Sequence, residues 1–274
     1  MNVEAMKGTL DKMAVSLTKP VKYSIRLGEN SLDINHRIGE NIRLHFTGNI
    51  FCANCGTKTN KSYSEGYCFP CMKKLARCDM CIVKPETCHF DQGTCREPEW
   101  AQTFCMTPHY VYLANTSGLK VGITRENQIP TRWIDQGATQ ALPILKTRTR
   151  HIAGLVEVEL AKHIADKTNW RAMLKGDNEQ IDLDREARRL LQEVATRLNH
   201  LNLLHGWDAI QMVQGEPVEI EYPVQEHPEK VTSFNFDKQP EVSGILKGIK
   251  GQYLILDSGV INLRKFTSYE VDVD

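Results

Sequence analysis

The chain has 274 residues, 41% of them apolar and 25% charged, enough for two or three domains and typical of a protein with ordinary buried cores. No run approaches the roughly 18 to 20 consecutive apolar residues of a membrane span, and charges interrupt the apolar positions from Met1 to Leu17. This argues against a membrane partner or a cleaved leader and for a cytoplasmic protein.

Formal net charge is zero, which argues against wholesale polyanion binding, yet the charge is uneven. Residues 101–150 carry Lys120, Arg125, Arg132, Lys146, Arg148 and Arg150 against Glu126 and Asp135. Residues 215–241 carry Glu216, Glu219, Glu221, Glu226, Glu229, Asp237 and Glu241 against Lys230 and Lys238. The first segment suits a nucleic-acid partner, the second a protein partner, and both also read as solvated surface.

In chain order, residues 1–50 read as an N-terminal β element. Val21 to Leu27 and Ile42 to Ile50 are strand-like, bounded by turns at Gly28-Glu29-Asn30 and Gly39-Glu40-Asn41.

Residues 51–109 hold all nine cysteines and few long apolar runs. A side-chain core cannot organise such a stretch, whereas metal can. Cys52-x2-Cys55 and Cys68-x2-Cys71 are two knuckles whose thiolates can close a tetrahedron around one ion, a zinc-ribbon-like structural site without an open position. A second group, Cys78-x2-Cys81, Cys88-His89, Cys95 and Cys105-x3-His109, has more ligands than one ion can use. Cys78, Cys81, Cys88 and Cys95 are the preferred set, with Cys105 and His109 as competitors. Zinc is the expected ion at both sites, since free thiols at this density in a reducing compartment oxidise unless ligated.

Residues 110–214 open with a hairpin, Tyr110 to Ala114 and Leu119 to Thr124 around a turn at Asn115 to Gly118. Two helices follow. Ile152, Leu155, Val156, Leu160 and Ile164 recur at helical spacing, as do Ala187, Leu190, Leu191, Val194, Leu198 and Leu201, the latter opening after Asp182 or Asp184 and stopping at Gly206. Residues 215–274 turn β again, with Val218 to Val224, Ser243 to Lys247, Gln252 to Leu256 and Val260 to Leu263 predicting a small β domain. The fold class expected is thus α+β, multidomain.

The ordered series Tyr110-Val111-Tyr112, Lys120-Val121-Gly122-Ile123-Thr124, Arg132-Trp133 and Glu157-Val158-Glu159-Leu160-Ala161-Lys162-His163 resembles the GIY-YIG nuclease superfamily in its shortened variants, with Lys120 in place of the second signature tyrosine. The resemblance implies a GIY-YIG-like α/β domain with Tyr112, Arg132 and Glu159 as catalytic groups, Glu159 holding Mg²⁺ and His163 in support. Phosphodiester hydrolysis needs such a set: a base, a cation against the developing charge and a carboxylate-held divalent ion. Lys120, Arg125, Lys146, Arg148 and Arg150 would contact phosphates, with Trp133 stacking on an unpaired base. Tyr112 and Trp133 read equally as core aromatics, and Glu159 as a surface partner of Lys162 or His163.

Along most of its length the chain also resembles an uncharacterised bacterial family in which a cysteine-rich segment precedes a GIY-YIG-like segment. The matching stretches are Cys78-Asp79-Met80-Cys81-Ile82, Gly93-Thr94-Cys95-Arg96, Lys120 to Arg125, Arg132 to Ala138 and Thr168-Asn169-Trp170-Arg171. The leading expectation is a zinc-containing nucleic-acid-binding protein, RNA-directed or DNA-directed. An Mg²⁺-dependent endonuclease and a zinc-stabilised protein-interaction scaffold are the alternatives.

Overall fold

Leu10 and Met13 are both fully buried although they stand three apart in a strand, where alternation would put them on opposite faces. A bulge between Asp11 and Ala14 restores them to one side. That irregular strand, not legible from alternation, is central to the fold. The computed structural model describes residues 6–164, 169–176 and 179–274; Met1 and Thr168 of the sequence readings lie outside them.

In order, the elements are β1 (Met6–Ser16), β2 (Lys22–Leu27), β3 (Asn30–Asp33), β4 (Asn41–Phe51), β5 (Lys58–Thr59), α1 (Phe69–Lys74), α2 (Met80–Val83), α3 (Pro98–Phe104), β6 (His109–Asn115) and β7 (Leu119–Arg125). Then come α4 (Thr131–Asp135), β8 (Gln140–Thr147), α5 (Arg150–Ala161), α6 (Trp170–Lys175), α7 (Leu183–His205), β9 (Ile210–Met212), β10 (Val218–Glu219), β11 (Glu241–Lys250), β12 (Tyr253–Leu256), β13 (Gly259–Asn262) and β14 (Tyr269–Val273). The protein is α+β, as its sequence predicts.

Segments 1–50 and 215–274, read separately from the sequence, contribute to one antiparallel sheet of order β13-β12-β11-β4-β14-β1-β2-β3, with β5 on the edge of β4. β4 lies between β11 and β14, so the two ends of the chain interleave. One apolar core follows, in which Leu10, Ile25 and Leu44 pack with Leu246, Phe266 and Val271.

The hairpin forms as expected, Tyr112 opposite Gly122 and Ala114 opposite Lys120. It is completed by β8, which pairs with β6, and by β9 and β10 on β8. Val111 and Leu113 face α5 and α7, while Tyr112 and Ala114 face the large-sheet core together with Trp133. Burial on both faces explains why β6 reads as a continuous apolar run. Helix α7 buries Leu183, Ala187, Leu190, Val194, Leu198 and Leu201, and starts where the Asp182 carboxylate accepts from the Arg185 N–H at 2.9 Å.

Between the sheets, residues 51–110 place no side chain in any of the three apolar clusters. Between β4 and β6 the segment is a string of short helices and single turns, with the two-residue β5 as its one named strand among the described residues. One end is tied to the large sheet, where buried Ser268 Oγ donates to the Gly66 carbonyl at 2.7 Å and Arg264 meets Glu65. The other rests on α5 through the 85–87 turn.

Candidate metal centres and basic cleft

Cys52 leaves β4 into a tight knuckle in which the Gly56 N–H donates to its carbonyl at 2.9 Å, and Cys68 and Cys71 flank the first turn of α1. The Sγ atoms of Cys52, Cys55, Cys68 and Cys71 lie within 4.8 Å of one another, with Cys55 and Cys68 3.8 Å apart. Burial opposes ionisation of Cys52, but N–H groups of Cys68, Cys55 and Asn54 together outweigh it and bring the thiol down to about 6. Burial, followed by the Cys68 thiol, pushes Cys71 up to about 12. Four thiols this close, one already prone to ionise, form a set that could hold a metal ion such as zinc.

The second cysteine group divides. Cys81 in α2, Cys88 after the 85–87 turn, Cys95 beyond the left-handed Gly93, and Cys105 at the end of α3 line one cavity of about 20 Å³. Cys78 lies outside it, in the wall of the large cleft, beside the Ser64 hydroxyl. In this second group the ligand atoms that fall within 4.8 Å of one another among the described residues are those of Asp79, Cys81 and His89. Asp79 is engaged by Arg96 at 2.7 Å, and His89 Nδ1 lies 2.7 Å from Thr94 Oγ1. His109 is fully buried and donates through Nδ1 to the Thr107 carbonyl at 2.8 Å. Burial drives its pKa down to about 4.

A cleft of about 1160 Å³ opens where the large sheet, the cysteine-rich segment and the hairpin sheet meet. Four of its carboxylates are matched by neighbouring cations: Asp11 by Arg26, Glu65 by Arg264, Asp79 by Arg96 and Asp135 by Lys12. Arg77, Lys120, Arg125 and Arg132 line the same cleft and form no close ion pair among the described residues. Trp100 and Phe104, one turn apart on α3, stack with centroids 4.3 Å apart at the wall. Arg125 lies 3.8 Å over the Phe104 ring and Arg77 lies 5.6 Å from Trp100. Arg150 donates to the Ile82 carbonyl at 2.6 Å, and its Nε has no partner among the described residues.

The carboxylate that α5 brings to this cleft is Glu157, not Glu159. Residues two positions apart on a helix are about 200° apart in azimuth, so Glu157 and Glu159 of α5 cannot share a face. Glu157 lines the cleft with Arg150, Lys120 and Arg132 nearby, and burial holds its pKa above the usual carboxylate value. Glu159 instead joins Lys162 at 2.6 Å and Arg197 at 3.3 Å, and His163 joins Glu193 at 2.9 Å. Both thus take the surface-partner role.

Tyr112 is fully buried behind the cleft floor, donates to Gln136 Oε1 at 2.8 Å, and is pushed up to about 12 by burial. Its hydroxyl is held as a donor, not poised as a base. Trp133, expected to stack on a base, is only 2% exposed and packs edge-on to Tyr112. The accessible aromatic pair is Trp100 and Phe104, which a search for i, i+4 aromatics could have found. Of the expected phosphate contacts, Lys120, Arg125 and Arg150 line the cleft, whereas Lys146 pairs with Glu126 and Arg148 with Asp208.

In the acidic region Glu226 pairs with Lys247, Glu241 with Arg43, and Asp237 accepts from Tyr269, so part of its charge is neutralised within the chain. No helix of the described residues is long and apolar enough to cross a membrane. Comparison with family models matches residues 39–271 to the family described as "Protein of unknown function (DUF2797)". No curated protein and no solved structure matches the chain.

Proposed function

This chain belongs to the DUF2797 family, and on that premise we propose that it is a zinc-containing nucleic-acid-binding protein whose cleft takes a single-stranded segment. The observation that carries the reading is one wall of the cleft. The Trp100–Phe104 stack, flanked by Arg77 and Arg125 and faced by Lys120 and Arg132, supplies the two things an unpaired strand needs. It offers π surfaces for bases and, for phosphates, cations that form no close ion pair among the described residues. Zinc at Cys52, Cys55, Cys68 and Cys71 is structural in this reading, because four thiolates leave no position for substrate.

Fluorescence anisotropy with labelled single-stranded RNA and DNA tests it. Binding should weaken with salt at a log–log slope of roughly −0.7 per phosphate contact. Absence of salt-sensitive binding to either polymer overturns it in favour of a protein-interaction scaffold.

A second reading, phosphodiester cleavage of the GIY-YIG type, is favoured by Glu157. A carboxylate whose pKa burial raises, set among Arg132, Arg150 and Lys120, suits proton transfer or Mg²⁺ binding beside a scissile phosphate. In this proposal Glu157 takes the part that the resemblance gave to Glu159. Mg²⁺-dependent cleavage of RNA or DNA that is lost in Glu157→Gln and kept in Glu159→Gln would support it; no cleavage of either polymer would sink it.

A further inference from the structure

We propose that Cys81, Cys88, Cys95 and Cys105 form a second four-thiolate site for a zinc-class divalent ion. The inference does not depend on the nucleic-acid reading.

Three observations converge. The four sulfur-bearing residues come from separate turns of chain, yet all line one cavity of about 20 Å³, room for a single ion or water but for no organic cofactor. Residues 76–105 contribute nothing to the three apolar clusters, and the side chains buried within the segment are few and small, Ala76, Ala101 and Cys105 among them, so little apolar burial holds these turns together. The site's negative charge also has a counterpart. Arg150 lies beside both Cys81 and Cys105, donates through its backbone N–H to the Cys105 carbonyl at 2.8 Å, and reaches the Ile82 carbonyl with its guanidinium. Binding one divalent ion releases the thiol protons to solvent and leaves a net negative charge, part of which this guanidinium offsets.

The competing set, Asp79, Cys81 and His89, shares Cys81 and so cannot be filled at the same time. Asp79 is engaged by Arg96, and His89, which lines the same cavity, bonds Thr94 through Nδ1 and stands 3.6 Å from Asp79 through Nε2. The proposal assigns both to the surroundings of the four thiolates, and a nitrogen ligand in the test below would give His89 the place of one of them. Cys105 therefore takes the place that spacing alone gave to Cys78.

Metal analysis of the full chain, purified without chelator, should find two zinc ions per chain. Cys105→Ser and Cys95→Ser should each retain one, Cys78→Ser two, and Cys52→Ser one through loss of the other centre. One ion in the wild type, two in Cys105→Ser, or a loss in Cys78→Ser overturns the assignment. If Cys105→Ser does not fold, X-ray absorption of the wild type decides. An all-sulfur shell at about 2.3 Å supports the site, and a nitrogen or oxygen contribution overturns it. Failure of nucleic-acid binding would leave all these counts unchanged.

Discussion

Gly154 of α5 lies directly against Pro85: a Cβ at Gly154 would stand 2.5 Å from the Pro85 Cβ and 2.7 Å from the Glu86 backbone nitrogen. The glycine is where the cysteine-rich segment docks on the helix. Gly154→Ala gains about 1 kcal/mol of helix propensity but cannot be accommodated unless the 85–87 turn moves away. Overpacking of this kind costs about 1 to 3 kcal/mol, so the net effect should be destabilising. Urea denaturation of the variant checks the sign, and faster proteolysis within residues 76–105 locates the effect.

Metal removal should act on one part of the molecule. Because residues 51–110 lie outside every apolar cluster, chelation at neutral pH should abolish amide protection across 51–105. Val111 to Leu113 and Leu254 to Leu256, buried in the sheets, should keep theirs. Hydrogen exchange read by mass spectrometry with and without chelator compares the two regions; equal loss in both would show that the sheets depend on the metal.

What the sequence disclosed follows from how local each signal is. The Cys52–Cys71 knuckles, the β6–β7 hairpin and the register of α7 rest on spacings within a few turns of chain, and the structure keeps them. β1 was hidden by its bulge, β8 by Pro143 in its middle, and β14 by its partners, which stand more than 200 residues away in the chain. The candidate site shows the same division. Glu157 and Glu159 are equally good carboxylates in sequence, and only the direction of α5 tells which one meets Arg132. Trp100 and Trp133 are likewise interchangeable until burial is known. Nothing in the cysteine spacing separates Cys78 from Cys105, because their allocation depends on how four turns fold back on one another.

The division of aromatic and basic residues gives a specificity test for binding. Trp100→Ala should weaken single-strand affinity by roughly 1 to 3 kcal/mol, the worth of one stacked base. Lys120→Ala should lower affinity and flatten the salt slope by about 0.7 to 0.9. Arg148→Ala should change neither, since that guanidinium is committed to Asp208 and the His205 carbonyl. Anisotropy titrations at several salt concentrations distinguish these outcomes, and an equal loss in Arg148→Ala would point to binding outside the cleft.

Lys250 is a probe of the large core. It is 2% exposed, lies 5.4 Å from the centroid of the Tyr222 ring, and is brought from 10.5 down to about 8 by burial. Below pH 8 the lysine is charged in both states and the cost of burying that charge is fully present. As pH rises from about 8 to 10.5 the unfolded chain keeps the proton that the folded one has lost, so this group's contribution to stability improves. Lys250→Met should therefore stabilise the protein at pH 7 by up to about 3 kcal/mol. The gap should narrow by pH 10, as followed by denaturation at the two pH values.

Glu157 carries the opposite sign from the usual surface carboxylate. Burial raises its folded pKa above 4.5, more than Arg150, Lys120 and Arg132 together lower it. Below pH 4.5 the group is protonated in both states and imposes no penalty. As pH rises through 4.5 and then through the higher folded value, the folded state must give up a proton it holds more tightly than the unfolded chain, and stability falls. Glu157→Gln should consequently melt at a higher temperature than the wild type at pH 7, with the difference shrinking toward pH 4, as scanning calorimetry at the two pH values would show. Glu159→Gln should behave in the reverse way, because the hydrogen bond from Lys162 holds that carboxylate below its ordinary value and supplies stability that is lost as pH falls. A site kept at the expense of stability is expected where a group is retained for binding or chemistry. A destabilised Glu157→Gln at pH 7 would instead make the glutamate a structural counter-ion of Arg150 and remove it from the reacting centre.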